Sequence, residues 1–299
     1  DIISMVSSPN FNPNSFVHGV KKKEWKELIE NRDKPLLNKA LSGLYPPGST
    51  IKTLTALSAL ENDVVSANLT VRCKGFIDLH GERFHCWKKK GHGLVGMRTA
   101  LSQSCDVYFY EVSRKLGIDR LSVTAKKFGL GKKVLQNYNE EKSGVVPDTK
   151  WKKRELGKNW YLGETLHSGI GQGYFLTTPL QLSLMTAQIA NGGFKIKPRI
   201  LVEDNDKVSD LQKYLNHKNT TPGNVMALKD QIYNFNLQPL FRNQENINLV
   251  KDAMFAATNE VGGTSYRSRH KEKKFRFAGK TGSSQIKRFT EKQREAEIK

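Results

Sequence analysis

Apolar residues recur at helical spacing from Ile51 through Leu54 and Leu57 to Leu60, with good helix formers between them. The residues just before, Tyr45-Pro46-Pro47-Gly48, cannot continue regular structure and predict a tight turn. Ser49 therefore stands at the N-terminus of a buried helix ending near Asn62, where backbone N–H groups are unpaired and the macrodipole is positive. The same periodicity predicts helices over Lys22–Asn31, around Trp25, Leu28 and Ile29, and from Met97 through Ser102–Asp106 to Leu116. Further helical pieces are predicted at Arg120–Phe128, Pro147–Gly157, Trp160–His167, Thr178–Ala190 and Asn246–Glu260. Strand patterns appear near both ends, at 1–6, Lys195–Val202 and Phe275–Gln285. Residues 63–96 carry no sustained period. Residues 203–244 are polar and read as a surface excursion. If the terminal strands share one sheet, an α/β lobe (about 1–48 and 193–299) lies beside an all-α lobe (about 49–192).

At 299 residues and 37% hydrophobic content the chain can bury a core as one large domain or two packed lobes. Lys and Arg number 49 against 29 Asp and Glu, a net charge of +20 that suits anionic partners. The basic residues are scattered in short groups such as Lys21-Lys22-Lys23 and Lys88-Lys89-Lys90, with no helix-turn-helix, zinc-finger or RNP-like pattern beside them. The charge reads as a solvated surface; no nucleic acid is expected. No window reaches 18 apolar residues and no leader pattern opens the chain. The abrupt start and finish are those expected of a piece of a longer protein.

Lys52 follows Ser49 at i+3, on the same helix face, within reach of its hydroxyl. A serine becomes a nucleophile when a neighbouring base takes its proton, and a lysine can serve when burial or nearby cations depress its pKa. Ser-x-x-Lys also occurs at Ser268/Lys271 and Ser284/Lys287, but only Ser49 opens a long apolar helix. Two other segments fit a shared cleft. Ser104-Cys105-Asp106 falls between helices, and Lys280-Thr281-Gly282-Ser283 lies on the last predicted strand, where alternation puts Lys280 and Gly282 on one face. Ser168-Gly169-Ile170-Gly171-Gln172-Gly173 lacks the Lys-Ser/Thr of a phosphate loop and reads as a close-packed turn, or as a wall of the cleft.

These three motifs, in this order, resemble the transpeptidase domain of class B penicillin-binding proteins. Tyr45–Ser49, Cys86–Gly93, Ser104–Tyr110, Gly163–Thr165, Ser168–Gly173 and Thr178–Gln181 are similar to the penicillin-binding protein 2 branch. The resemblance covers nearly all of 1–202 and 246–287. It implies an α+β penicillin-binding/β-lactamase-like fold, an antiparallel sheet flanked by helices plus an all-α lobe, with the sheet incomplete in this chain. It implies a peptidoglycan D,D-transpeptidase acylated by β-lactams. Ser49 would be the nucleophile, Lys52 its base, Ser104 a proton relay, Asp106 the residue that is Asn in many relatives, and Lys280 the electrostatic tuner. Thr281 and Ser283, flanking Gly282, would hold the substrate carboxylate, and the Ser49 and Ser283 N–H groups would form an oxyanion hole. Implied partners are stem peptides, lipid II-derived glycan strands, β-lactams, a SEDS-type glycan polymerase and elongation-complex proteins. The implied location is the periplasmic face of the inner membrane, with the anchor outside this chain. Rival readings are a D,D-carboxypeptidase or β-lactamase on the same framework, or a non-catalytic basic binding module.

Cys73, Cys86 and Cys105 are the only cysteines, with His92 between the second and third. Three thiolates and an imidazole form a Cys₃His donor set of the structural zinc type. A disulfide plus one spare thiol is the alternative, and His85, His80 and Asp78 are substitute ligands. Some penicillin-binding proteins 2 are similar in holding zinc at corresponding positions. Ligation of Cys105 would pin the loop carrying Ser104 and Asp106.

Overall fold

A computed structural model describes residues 1–17, 19–135, 138–200 and 239–284. The fold is α+β. In chain order it comprises α1 (Lys22–Glu30), α2 (Lys39–Ser42), a 3₁₀ turn at Gly48–Ile51, α3 (Lys52–Glu61), β1 (Thr70–Cys73), β2 (Phe76–Leu79), β3 (Glu82–His85) and β4 (Gly93–Gly96). Then come α4 (Met97–Ser102), α5 (Asp106–Leu116), α6 (Ile118–Lys127), α7 (Thr149–Leu156), α8 (Leu162–Gly169), α9 (Pro179–Ala190) and α10 (Gln244–Asn259).

Helix α3 is the axis of the core. Its residues 52–60 are all buried, with Lys52, Thr53, Thr55 and Ser58 among the apolar residues, and each of these four polar side chains is hydrogen-bonded. Around it α4, α5, α6 and α10 close one cluster that contains Leu54, Leu57, Met97, Leu101, Phe109, Leu121, Val250 and Ala253. Two of the helices begin at polar side chains that cap them. Asp148 accepts from Trp151 N at α7, and Thr178 with Gln181 forms a capping box at α9.

Two expectations are corrected. The lobe expected to be all-α also holds four short strands in two antiparallel pairs, β1 with β4 and β2 with β3, within the stretch that carries no sustained period. Their strands are four residues each, too short to set up a visible period. A turn signal was available: His80 and Gly81 between β2 and β3 both have positive φ, as a two-residue type I′ turn requires.

The terminal segments form no strand among the described residues. Ile2 N donates to Arg199 O, so 1–2 and 199 do lie side by side, but a strand needs a ladder of such bonds. Residues 276–284 are held instead by α10: Gly279 N donates to Met254 O and Asn259 Nδ2 to Phe277 O. Those backbone groups bond a helix rather than a neighbouring strand. The 203–244 excursion falls largely outside the described residues. No described helix is long and apolar enough to cross a membrane.

Candidate active site

Ser49 sits in the 3₁₀ turn that feeds α3, half-buried, while Lys52 one turn on is fully buried. The turn is tightly supported. Gly48 has φ of +56°, and a Cβ there would lie 2.4 Å from Ser283 O. Gly48 N donates to Gly171 O at 2.9 Å, and a Cβ on Gly171 would lie 2.1 Å from Gly48 O. Only residues without side chains allow the backbones of the Ser49 turn, the glycine-rich turn and the last segment to come this close.

Lys52 finds its hydrogen-bond partners on the Ser104–Asp106 loop. Its Nζ donates to Asp106 Oδ1 at 2.6 Å, Ser104 O at 3.0 Å and Ser104 Oγ at 3.2 Å. No side-chain hydrogen bond joins Ser49 to Lys52 among the described residues. An ammonium has three donors, and all three are taken. Lys280 approaches the same hydroxyl from the other side, Nζ to Ser104 Oγ 2.8 Å. Burial, and then the charge of Lys52, bring the Lys280 amine down to about 7, with Asp106 opposing the shift. Ser104 is thus bracketed by two amines. It occupies a left-handed backbone conformation, φ +56°, unusual for a residue with a side chain and typical of strained functional loops.

Asp106 opens α5, where a carboxylate suits the positive helix end. Its second oxygen, Oδ2, accepts from Trp87 N at 2.9 Å, and the Trp87 indole N–H is shared by Gln103 O and Ser104 O at 3.1 Å each. In the last segment, Gly282 would place a Cβ 3.0 Å from Thr50 Cγ2, and Ser283 O accepts from Gln172 Nε2 at 3.2 Å. Thr281 Oγ1 donates to Thr264 Oγ1 at 3.0 Å. The structure therefore brings Ser49, Lys52, Ser104, Asp106, Lys280, Thr281, Gly282 and Ser283 to one place from three separate stretches of chain.

Beside it, Cys73, Cys86, His92 and Cys105 converge, with their donor atoms all within 4.8 Å of one another. His92 Nδ1 lies 3.6 Å from Cys73 Sγ and 3.5 Å from Cys86 Sγ. Donors about 2.0–2.3 Å from one tetrahedral ion stand roughly 3.5–4 Å apart, so these separations fit a metal of the zinc type. The three cysteines are free thiols. A hydrogen bond from Cys105 pulls the Cys86 thiol well below its usual range, and Cys105 is pushed up by that contact and by burial. The substitute ligands stay outside: Asp78 pairs with Arg83, and His80 and His85 are exposed.

Residues 1–298 match the family described as penicillin binding protein transpeptidase domain. The chain belongs to that family. It is 35% identical over 296 residues to the peptidoglycan D,D-transpeptidase MrdA of Acinetobacter baumannii, covering 98% of this chain and 41% of the relative. Among solved structures it resembles Pseudomonas aeruginosa PBP2 in complex with WCK 5153, with a TM-score of 0.77 and 33% identity over 94% of this chain and 59% of that one. Helicobacter pylori PBP2 in complex with MreC matches equally in shape, TM-score 0.77 and 32% identity, over 94% of this chain and 48% of that one. This penicillin-binding protein transpeptidase chain thus spans about two fifths of the Acinetobacter relative.

Sequence reasoning missed Thr264, and it named Gln172 only as part of the Ser168–Gly173 turn, without its bond to Ser283 O. Gly263, just ahead of Thr264, and Gly171, just ahead of Gln172, mark places where backbone must pass close to a neighbour. That was the available signal.

Proposed function

We propose that the chain is the catalytic domain of a peptidoglycan D,D-transpeptidase that works through a serine acyl-enzyme and is acylated by β-lactams. The observation that carries this reading is the convergence of two amines, the buried Lys52 and the partly buried Lys280, on one hydroxyl, Ser104 Oγ, beside a half-buried serine at a helix N-terminus. Ser49 Oγ attacks the carbonyl of the penultimate D-Ala, and the bond to the terminal D-Ala breaks. The Ser49 proton passes to Lys52 and leaves through Ser104 to the departing amine. Lys280, on the far side of Ser104 and held near 7, is ready to exchange it at neutral pH. The Ser49 and Ser283 N–H groups meet the charge that develops on the carbonyl oxygen, and loss of one such donor costs about 10²–10³ in rate. A second stem peptide's amine then attacks the acyl-enzyme and forms the cross-link.

The Cys₃His set is assigned to structural zinc, held by Cys73, Cys86, His92 and Cys105. It would fasten the Ser104–Asp106 loop through Cys105. Stem peptides on lipid II-derived strands are the substrates, and a SEDS-type polymerase and elongation-complex proteins the partners. The domain would work at the periplasmic face of the inner membrane. The test is mass spectrometry after incubation with penicillin G: a single adduct is expected on the peptide containing Ser49 and none on Ser49→Ala. An unmodified wild-type protein of intact fold refutes the assignment.

A further inference from the structure

Thr264 has no role in any motif that led to the site, yet it ties three of its parts together. It follows Gly262 and Gly263 at the end of α10. Gly262 has φ +90°, and a Cβ on Gly263 would lie 2.4 Å from Ala257 O and 2.5 Å from Ala256 O. The loop therefore turns back against the last carbonyls of α10 and is delivered to the end of α4, two residues before Ser104. There Ser102 O accepts both the Thr264 N–H, at 3.1 Å, and the Thr264 hydroxyl, at 3.3 Å. The Thr264 oxygen in turn accepts the Thr281 hydroxyl at 3.0 Å.

This places a two-hydroxyl chain, Thr281 to Thr264 to Ser102 O, directly behind the residue assigned to the substrate carboxylate. In the free protein the chain runs inward, so the Thr281 proton points away from the cleft. A carboxylate is a stronger acceptor than a hydroxyl, because bonds to an ionised partner are about twice as strong as neutral ones. When the anion arrives, the Thr281 proton turns to it. The Thr281 oxygen is then left as an acceptor, and the Thr264 hydroxyl can swing from Ser102 O to fill it. Ser102 O does not go unpaired, since the Thr264 backbone N–H still serves it. The swing thus leaves no buried group without a partner, which is the condition for a reversible hydroxyl chain.

We propose that Thr264 is a positioning residue of the carboxylate subsite, and that its hydroxyl pair with Thr281 reverses direction when the carboxylate binds. The inference rests on the transpeptidase reading above and adds a specificity element to it. Its signature is dependence on the ligand's negative charge, which a merely structural threonine would not give.

The experiment measures acylation rate constants by mass spectrometry for penicillin G and for its methyl ester, which keeps the β-lactam and lacks the anion. Proteins compared are wild type, Thr264→Val, Thr264→Ala and Thr264→Ser, with thermal unfolding of each to confirm the fold. The expected result is a loss of about tenfold with penicillin G in Val and Ala, the scale of one hydrogen bond to a charged group. With the ester the two variants should stay within about twofold of wild type, and Thr264→Ser should match wild type on both ligands. Equal losses on acid and ester, or no loss on either, overturn the role of Thr264 while leaving Ser49 acylation intact. If wild type accepts neither ligand, the transpeptidase reading falls and takes the inference with it. Thr264→Ala adds no methyl group to the loop, so it decides the matter should Thr264→Val unfold.

Discussion

Lys280 shows how one side chain carries both a stability cost and a chemical use. Burial and Lys52 hold its amine near 7, against 10.5 in the unfolded chain. Below about 7 both states keep the proton, and the folded state bears the whole cost of a buried charge beside another cation. Between about 7 and 10.5 the unfolded chain binds the extra proton, so the Lys280 contribution to stability rises with pH through that window. Lys280→Met removes this dependence. Denaturant unfolding at pH 7 and pH 10 should show the stability difference, variant minus wild type, falling as pH rises. A difference that stays constant would mean that Lys280 keeps an ordinary pKa. Acylation by penicillin should fall at least about 100-fold in the same variant, the scale of a lost acid–base group. Lys280 could be picked out from sequence as a motif residue, but its pairing with Ser104 could not. That contact joins residues 176 positions apart, and no local pattern encodes it.

Elements matter here chiefly for how closely they let backbones approach. The turn after α8 touches the Ser49 turn through Gly171 and Gly48, and a methyl group on Gly171 would meet Gly48 O head-on with φ already at +76°. Gly171→Ala should therefore destabilise the fold by about 2–4 kcal/mol, as strain at a special backbone position does. It should also slow acylation more than Gly157→Ala, because nothing lies within 4 Å of the Cβ position at Gly157, which has a similar φ of +65°. Similar loss in the two variants would show that strain alone matters and contact with Gly48 does not. The Cys₃His cluster acts on the site through Cys105, the residue before α5. Metal removal with a chelator, or Cys105→Ala, is expected to lower both the unfolding temperature and the penicillin acylation rate, with Ser49 still the modified residue. Acylation unchanged after complete metal removal, verified by elemental analysis, would separate the cluster from the catalytic loop.

Seen whole, the molecule was legible where a pattern is repeated locally and obscure where it is not. Helices α3, α9 and α10 were each predicted to within a few residues, because ten or more positions of one period overwhelm the noise of any one residue, while the single helix expected from Met97 to Leu116 is broken at 103–105 into α4 and α5. The four-residue strands β1 to β4 offered at most two residues to each face. The segment from 276 to 284 has a strand-like pattern yet takes its backbone bonds from α10, a choice made by tertiary contact rather than propensity. Likewise the motifs named Ser49, Lys52, Ser104 and Lys280 as a group, while the bond from Lys52 to Asp106 appears only in three dimensions.

The same contrast of scale governs how the protein meets its surroundings. The net charge is +20, and exposed charges such as those of Lys88, Lys89 and Lys90 are screened within about 8 Å at physiological ionic strength. The Lys52–Asp106 pair has side-chain exposures of 0% and 12% and is reached little by that screening. Salt should therefore separate the two kinds of electrostatics. Raising NaCl from about 0.05 M to about 0.5 M should weaken retention on an anionic polymer such as heparin more than tenfold, because many screened contacts act together. The acylation rate constant at saturating penicillin should change less than about twofold, since the buried charges keep their low-dielectric surroundings. Parallel losses in retention and in the saturated rate would mean that solvent ions reach the catalytic amines, and that the burial of Lys52 does not persist in the working enzyme.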